Sequence, residues 1–297
     1  MEEKDNGYWF TTENGVHIHA NEGESPEEAT NKFFGKSKEY RQNIPYKELT
    51  NEKNKHIIKE QDGLAIKGAA AASLYNDIRN NKRFEYEELL NNPVVKELED
   101  KANKAMEMAT NKPPLSEQDK QRYTEKFLQS AKNTPRNFRA DIVMGLPAAG
   151  KSSAVVNDLK NRYGSFEFDN DEIKKLLPGY DEYGAAYVHT DSKDVQKAAK
   201  KAFAKGGALN GANLAIPIIG STINQVNDWI TDLQAAGYGV HIHHVEVSNK
   251  ESMNRAVGRA IQTGRHIPLN VIKGYAEKPK EVYEQLKKEN ALEVAFE

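Results

Sequence analysis

Residues 141–153 read Asp-Ile-Val-Met-Gly-Leu-Pro-Ala-Ala-Gly-Lys-Ser-Ser, an apolar run that passes directly into the spacing G-x-x-x-x-G-K-S. This is a phosphate-binding loop pattern, and it constrains the fold on both sides of itself. Gly145 and Gly150 admit backbone conformations closed to other residues, so successive N–H groups can turn inward around an anion. Lys151 is placed to reach the β- and γ-phosphates, and the Ser152 hydroxyl to sit on Mg²⁺. A helix beginning at Lys151 would aim its positive end at the same anion. The pattern therefore requires strand, loop and helix in that order. The chain supplies a strand-like run up to Met144 and an apolar periodicity (Val155, Val156, Leu159) after Ser152. The expected nucleotide cradle is Gly145, Pro147, Ala148, Ala149, Gly150, Lys151, Ser152 and Ser153, holding ATP with its Mg²⁺.

From Asn137 onward strand-like and helix-like stretches alternate, the signature of a parallel α/β sheet. Strands are expected at Ala140–Met144, Ser165–Phe168, Asn213–Ile219, Val240–Val247 and Leu292–Phe296. Helices are expected near 152–163, 191–205, 222–236, 249–262 and 279–290. The carboxyl ends of such strands share one rim, where ligands bind. Upstream, residues 7–20 read as a β-hairpin around Asn14-Gly15. His17 and His19 alternate there and read as exposed strand residues, with no third metal ligand beside them. Ser25-Pro26-Glu27-Glu28 opens a helix carrying Ala29, Phe33 and Phe34 inward. Residues 50–132 look mostly helical, with apolar spacing at Val94, Val95, Leu98, Ala102 and Met106 and a break at Asn111-Lys112-Pro113-Pro114. Lys82, Arg83, Glu85, Glu87 and Glu88 read as solvated helix faces. The expected division is an accessory hairpin plus helix (1–49), a helical N-terminal domain (50–135) and a P-loop kinase domain (136–297).

The second expected strand ends in Phe168-Asp169-Asn170-Asp171. Carboxylates at the carboxyl end of a strand beside a P-loop strand sit where phosphoryl transfer uses them. One orients Mg²⁺, and the other accepts the proton of the attacking hydroxyl. The competing reading is a helix cap at Asp171, ahead of Glu172-Ile173-Lys174. His189, Thr190, Asp191 and Ser192 form a polar cluster that either lines an acceptor pocket or caps the next helix. Late in the chain come Arg255, Arg259 and Arg265, separated by Gly258 and Gly264. Arg255 and Arg259 are four apart and share a helix face. Permanently charged guanidinium groups suit the charge of a transferring phosphoryl group, and a mobile basic segment here is the expected lid.

Composition excludes several alternatives. The 297 residues contain no cysteine, which removes disulfides, thiolate zinc sites and thiol catalysis. A net charge of -2, with 29% charged residues, gives no broad basic face for nucleic acid, so nucleic acid is not an expected partner. Met1 to Asn6 is acidic without an apolar stretch, and no run is long enough to cross a bilayer, so a cytoplasmic protein without a membrane partner is expected.

Residues 137–290 resemble the zeta-toxin family of P-loop kinases. The resemblance rests on GLPAAGKSS, FDNDEIKKLLPGYDE, YVHTDS, ANLAIPIIGST and NRAVGRAIQTGRHIP, in that order. It implies a P-loop kinase fold and transfer of the ATP γ-phosphate to a hydroxyl of UDP-N-acetylglucosamine or a related nucleotide-like acceptor. Family members are often the toxic half of a toxin–antitoxin pair, which implies a protein antitoxin partner. Asp171 is then the general base, Lys151, Arg259 and Arg265 act in catalysis, and Arg255 joins the ATP contacts. Asp169, Lys174, His189, Thr190, Ser192 and Thr222 would face the acceptor, with Ser152 and Asp169 toward Mg²⁺. One departure stands out. Where relatives carry an acidic residue that helps hold the sugar nucleotide, this chain reads Ile216-Pro217-Ile218-Ile219-Gly220-Ser221-Thr222. Two other functions fit the loop: a kinase of polynucleotide ends or nucleosides, and a nucleotide-gated, phage-associated interaction module. The helical segment 50–132 is also placed to act as a built-in inhibitor.

Overall fold

The computed structural model describes residues 8–11, 17–20, 68–289 and 294–296. The chain divides into two compact units, Met1–Glu60 and Gln61–Glu297. In the first, β1 (Tyr8–Thr11) and β2 (His17–Ala20) pair antiparallel, Tyr8 opposite Ala20 and Thr11 opposite His17. The hairpin expected from the aromatic and β-branched runs is present. The Asn14-Gly15 turn, the helix expected after Ser25 and residues 50–67 lie outside the described residues.

The second unit is built on a five-stranded, all-parallel sheet. In chain order its strands are β3 (Arg139–Gly145), β4 (Phe166–Glu167), β5 (Leu214–Ile218), β6 (Gly239–Val245) and β7 (Val294–Phe296). Their spatial order is β4-β5-β3-β6-β7, so the strand that runs into the phosphate loop is central. The chain leaves β3 for one side of the sheet and later crosses to the other, which places the loop at a topological switch point.

The sheet is buried on both faces, and β3 shows why its sequence is apolar throughout. Ala140, Ile142 and Met144 enter the larger core cluster, while Val143 joins Val156, Leu159 and Ala215 in a smaller one on the opposite face. The smaller cluster is covered by a π-helical turn at Ser152–Val156 continued by α5 (Asn157–Tyr163), ended at Gly164. The larger one is covered by four helices: α4 (Glu117–Leu128), α8 (His189–Lys200), α9 (Ile223–Ala235) and α12 (Lys278–Lys288). Asp141 shares the Val143 face and is fully buried. It is neutralised there by Arg139, at 2.6 and 2.8 Å, and hydrogen-bonded to His243 Nε2 at 2.8 Å. Two short helices follow β4: α6 (Asn170–Lys174) and α7 (Tyr180–Tyr183).

A third cluster alters the expected domain division. Helices α1 (Ala69–Arg79), α2 (Tyr86–Asn91) and α3 (Pro93–Thr110) precede α4. Helices α10 (Asn249–Thr263) and α11 (Leu269–Tyr275) lie late in the chain. Leu74, Ile78, Val95 and Leu98 share one core with Met253, Val257, Leu269 and Ile272. No separate core belongs to residues 68–135, and the boundary expected at 135–136 does not divide two packing units. Upstream, Asn92 caps α3 with Pro93 at its first position, and Ser116 caps α4.

Candidate active site

The phosphate loop spans the end of β3 and the start of the π-helical turn. Gly145 has φ 151°, and a Cβ there would stand 2.7 Å from the Val245 carbonyl oxygen, so only glycine lets β6 approach this closely. Gly150 has φ 98° and Ala148 φ 55°, so the loop alternates its peptide orientations. Helix α10 fixes two of those peptides. The buried Ser252 hydroxyl donates to Pro147 O at 2.6 Å, and Arg255 Nη1 donates to Ala149 O at 3.1 Å. Because a peptide unit is planar and trans, drawing those carbonyls toward α10 turns the following N–H groups, of Ala148 and Gly150, the opposite way. This is the arrangement an anion cradle needs. Lys151 Nζ donates to Gly145 O and Leu146 O at 2.8 and 2.9 Å. Burial, together with the nearby Arg259 charge, pushes its ammonium down to about 8 against the pull of Asp169 and Asp171.

Across from the loop stand the two carboxylates. Asp169, not Asp171, caps α6, its Oδ1 accepting the Asp171 N–H at 2.9 Å. The cap expected at Asp171 thus falls two residues earlier, on Asp169, and the Asp171 side chain is left to its charged neighbours. Burial and the adjacent Asp171 charge lift the Asp169 carboxyl to about 7. Asp171 goes the other way. Burial would raise it, but Lys174, bonded at 3.0 Å, and Arg265, ion-paired to its other oxygen, hold it well below the usual carboxylate range. Arg259 lies among Arg265, Asp171 and Asp169, and its buried Nε has no hydrogen-bond partner among the described residues. A buried guanidinium with a spare donor, facing the loop lysine, suits an anionic ligand.

The structure thus brings together Lys151, Asp169, Asp171, Lys174, Arg259 and Arg265. Others fall elsewhere. Arg255 engages the loop backbone and Glu251, so its charge is committed to shaping the cradle. Ser192 is fully buried, accepting from Asn170 Nδ2 and donating to His189 O; it ties the first turn of α8 to the start of α6 and cannot line an open pocket. Asp191 is buried against Lys112 at 2.5 Å, and the cap position of α8 is Val188. His189 and Thr190 are exposed at the start of α8, and Thr222 is the exposed cap of α9 beyond β5. The segment expected as a mobile lid is in large part a packed helix. Only the turn after Thr263, opened by Gly264 at φ 72°, carries Arg265 out to Asp171. Ser252 was not legible as a site residue: a lone serine inside a helix carries no signal until the loop is folded against it.

For Mg²⁺, the exposed Ser152 and the Asp169 carboxylate are the available oxygen donors. Among the described residues no set of three metal-ligating side chains converges. The donors therefore fit a cation shared with phosphate oxygens, not one held by protein alone.

A central strand leading into a glycine loop, with cations and carboxylates on the same rim, defines a P-loop phosphotransferase architecture. The zeta toxin family model matches residues 123–296, and the chain belongs to that family. No curated protein matches it. Among solved structures it is similar to one described as the PezAT chromosomal toxin–antitoxin system of Streptococcus pneumoniae. There the identity is 16%, over 61% of this chain and 77% of that one, with a TM-score of 0.47. It is also similar to the AvrRxo1-ORF1:-ORF2 structure with ATP, at 16% identity over 59% and 61% and a TM-score of 0.43. A third is the Pnkp1/Rnl/Hen1 RNA repair complex, at 17% identity over 52% and 47% and a TM-score of 0.43. No helix among the described residues is long and apolar enough to cross a membrane.

Proposed function

We propose that the protein transfers the γ-phosphate of ATP to a hydroxyl of a small nucleotide-sugar or nucleotide-like acceptor, and that it acts as a toxin held in check by a protein antitoxin. The observation that carries this reading is the meeting of Lys151, Arg259 and Arg265 with the Asp169–Asp171 pair at the mouth of the phosphate loop. The Ala148 and Gly150 amides and Lys151 receive the phosphates, and Arg259 offers its spare donor to the charge that grows on the transferring group. Mg²⁺, held by Ser152 and Asp169 together with the phosphates, would supply charge neutralisation there. Asp171 accepts the acceptor's proton. Its ion pair with Arg265 keeps it ionised and correctly placed, and Arg265 moving onto phosphate would return basicity to it. Lys174, bonded to Asp171, is the first candidate acceptor contact, with His189, Thr190 and Thr222 as further candidates. The segment Ile216–Thr222 offers no carboxylate to a sugar, which favours an acceptor recognised by neutral groups.

The test is incubation of the full chain with ATP and Mg²⁺ against a panel of nucleotide sugars, nucleotides and a 5′-hydroxyl oligonucleotide, with products read by mass spectrometry. Lys151→Ala and Asp171→Ala are expected to reduce transfer by at least 10²-fold, the scale of a lost charge-stabilising or proton-accepting group. Wild-type rates in Asp171→Ala would remove it as the base, and labelling of the oligonucleotide alone would replace the acceptor class.

A further inference from the structure

We propose that Arg83, on the connector between α1 and α2 and outside the segment matched to the family, is a positioning residue for nucleotide binding that acts on the phosphate loop through Glu251 and Arg255. The proposal rests on the reading that this loop binds a nucleoside triphosphate. The path is continuous. Arg83 engages both carboxylate oxygens of Glu251, through Nε to Oε2 and through Nη2 to Oε1 at 3.0 Å. Its Nη1 is anchored on Ile78 O at 2.7 Å and Lys82 O at 3.0 Å. Glu251 Oε1 also accepts from Arg255 Nε at 2.6 Å, and Arg255 Nη1 donates to Ala149 O of the loop. Beside it the connector is clamped to α10 a second time, Asn254 accepting the Phe84 N–H at 3.0 Å and donating to Phe84 O at 2.9 Å.

The chemistry at each link is specific. A planar fork can hold two oxygens of one carboxylate at once, which a lysine cannot. Glu251, with the Arg83 hydrogen bond as the first cause, has its pKa held below the usual carboxylate value, and its Oε1 is shared between Arg83 and Arg255. The Arg255 side chain is 45% exposed and would otherwise be free to swing into solvent. Held by Glu251, it keeps the Ala149 carbonyl turned toward α10 and the Gly150 N–H turned the other way. The solvated-face reading of Arg83 is thereby replaced: it is half-buried and tied to a residue 168 positions later.

The experiment measures the dissociation constant for a non-hydrolysable ATP analogue with Mg²⁺, alongside thermal melting, on the full chain. Arg83→Met is expected to weaken binding by about 3- to 10-fold, the effect of loosening one loop hydrogen bond. Arg83→Lys should fall between the two. Arg255→Met should weaken binding at least as much, and the Arg83→Met/Arg255→Met double variant should be no weaker than Arg255→Met alone. A residue that only supports the fold would lower the melting temperature and leave affinity unchanged. Should Arg83→Met fail to fold, Glu251→Gln, which keeps the shape and removes the charge, must show the same loss. The proposal is overturned if Arg83→Met and Glu251→Gln bind within twofold of wild type, if Arg255→Met does, or if the losses multiply in the double variant. Failure of the wild-type chain to bind the analogue overturns the nucleotide reading itself, a result distinct from the others.

Discussion

Asp169 and Asp171 are two positions apart and face opposite electrostatic surroundings, so they should respond to pH with opposite sign. Asp169's folded value, about 7, lies above the ordinary aspartate value of 3.8. Between those limits the folded chain keeps a proton the unfolded chain releases, so stability falls as pH rises through that window. Asp169→Asn keeps the helix cap and removes the disfavoured charge. Asp171's folded value is depressed, so its ionised form contributes stability above the unfolded value, lost as pH falls toward the folded one. Thermal melts at pH 8 should show Asp169→Asn more stable than wild type and Asp171→Asn less, each by roughly 1–2 kcal/mol. For Asp169→Asn the difference should nearly vanish at pH 4. Shifts of the same sign at pH 8 would contradict these assignments. That both carboxylates lie near the phosphate loop was legible from their place after a strand. Which one caps, and which stays charged, depends on Lys174 and Arg265, the second of them 94 residues away.

At the scale of elements, α10 is the shared part. One turn directs Ser252 and Arg255 at the loop, another brings Arg259 to the carboxylates, and Met253, Ala256, Val257 and Ala260 pack into the cluster with α1 to α3. The alternation of strands and helices was enough to place the helix near 249–262, and in the structure Ser248 caps it, accepting the Glu251 N–H at 3.1 Å. Its burial on several sides was not legible, because local spacing cannot say how many neighbours a helix has. Gly258 faces α1: an added Cβ would meet Ile78 Cγ2 at 3.4 Å. Leu98 lies fully buried in the same cluster. Leu98→Ala is expected to cost about 2–5 kcal/mol in urea unfolding. Because α10 packs into the same cluster, nucleotide affinity should fall with it. A loss under 1 kcal/mol would show that α3 contributes little to this core.

At the scale of the whole molecule, the helices before residue 135 are not a detachable inhibitor of the sheet domain. They supply half of the cluster that buries α10 and α11. A chain beginning at Thr134 would leave Met253, Val257, Ile261, Leu269 and Ile272 facing water, and it is expected to be insoluble or to lack a cooperative melt. A chain beginning at Gln61 keeps the compact unit and should melt cooperatively, as followed by circular dichroism. A soluble, more active protein from the Thr134 start would restore the inhibitor reading.

The sequence by itself determined the parallel α/β class, the position of the phosphate loop and the identity of its charged neighbours. Those features are written in contiguous residues, where glycine freedom, strand and helix periodicity and cap chemistry act over a few positions. Only the tertiary structure decided that Ser252 and Arg255 shape the loop, that Ser192 is sealed inside, that Arg83 reaches Glu251, and that the early helices complete the core around α10. Each of these depends on groups brought together across the chain, and burial and charge compensation are properties of that assembled neighbourhood and not of local sequence.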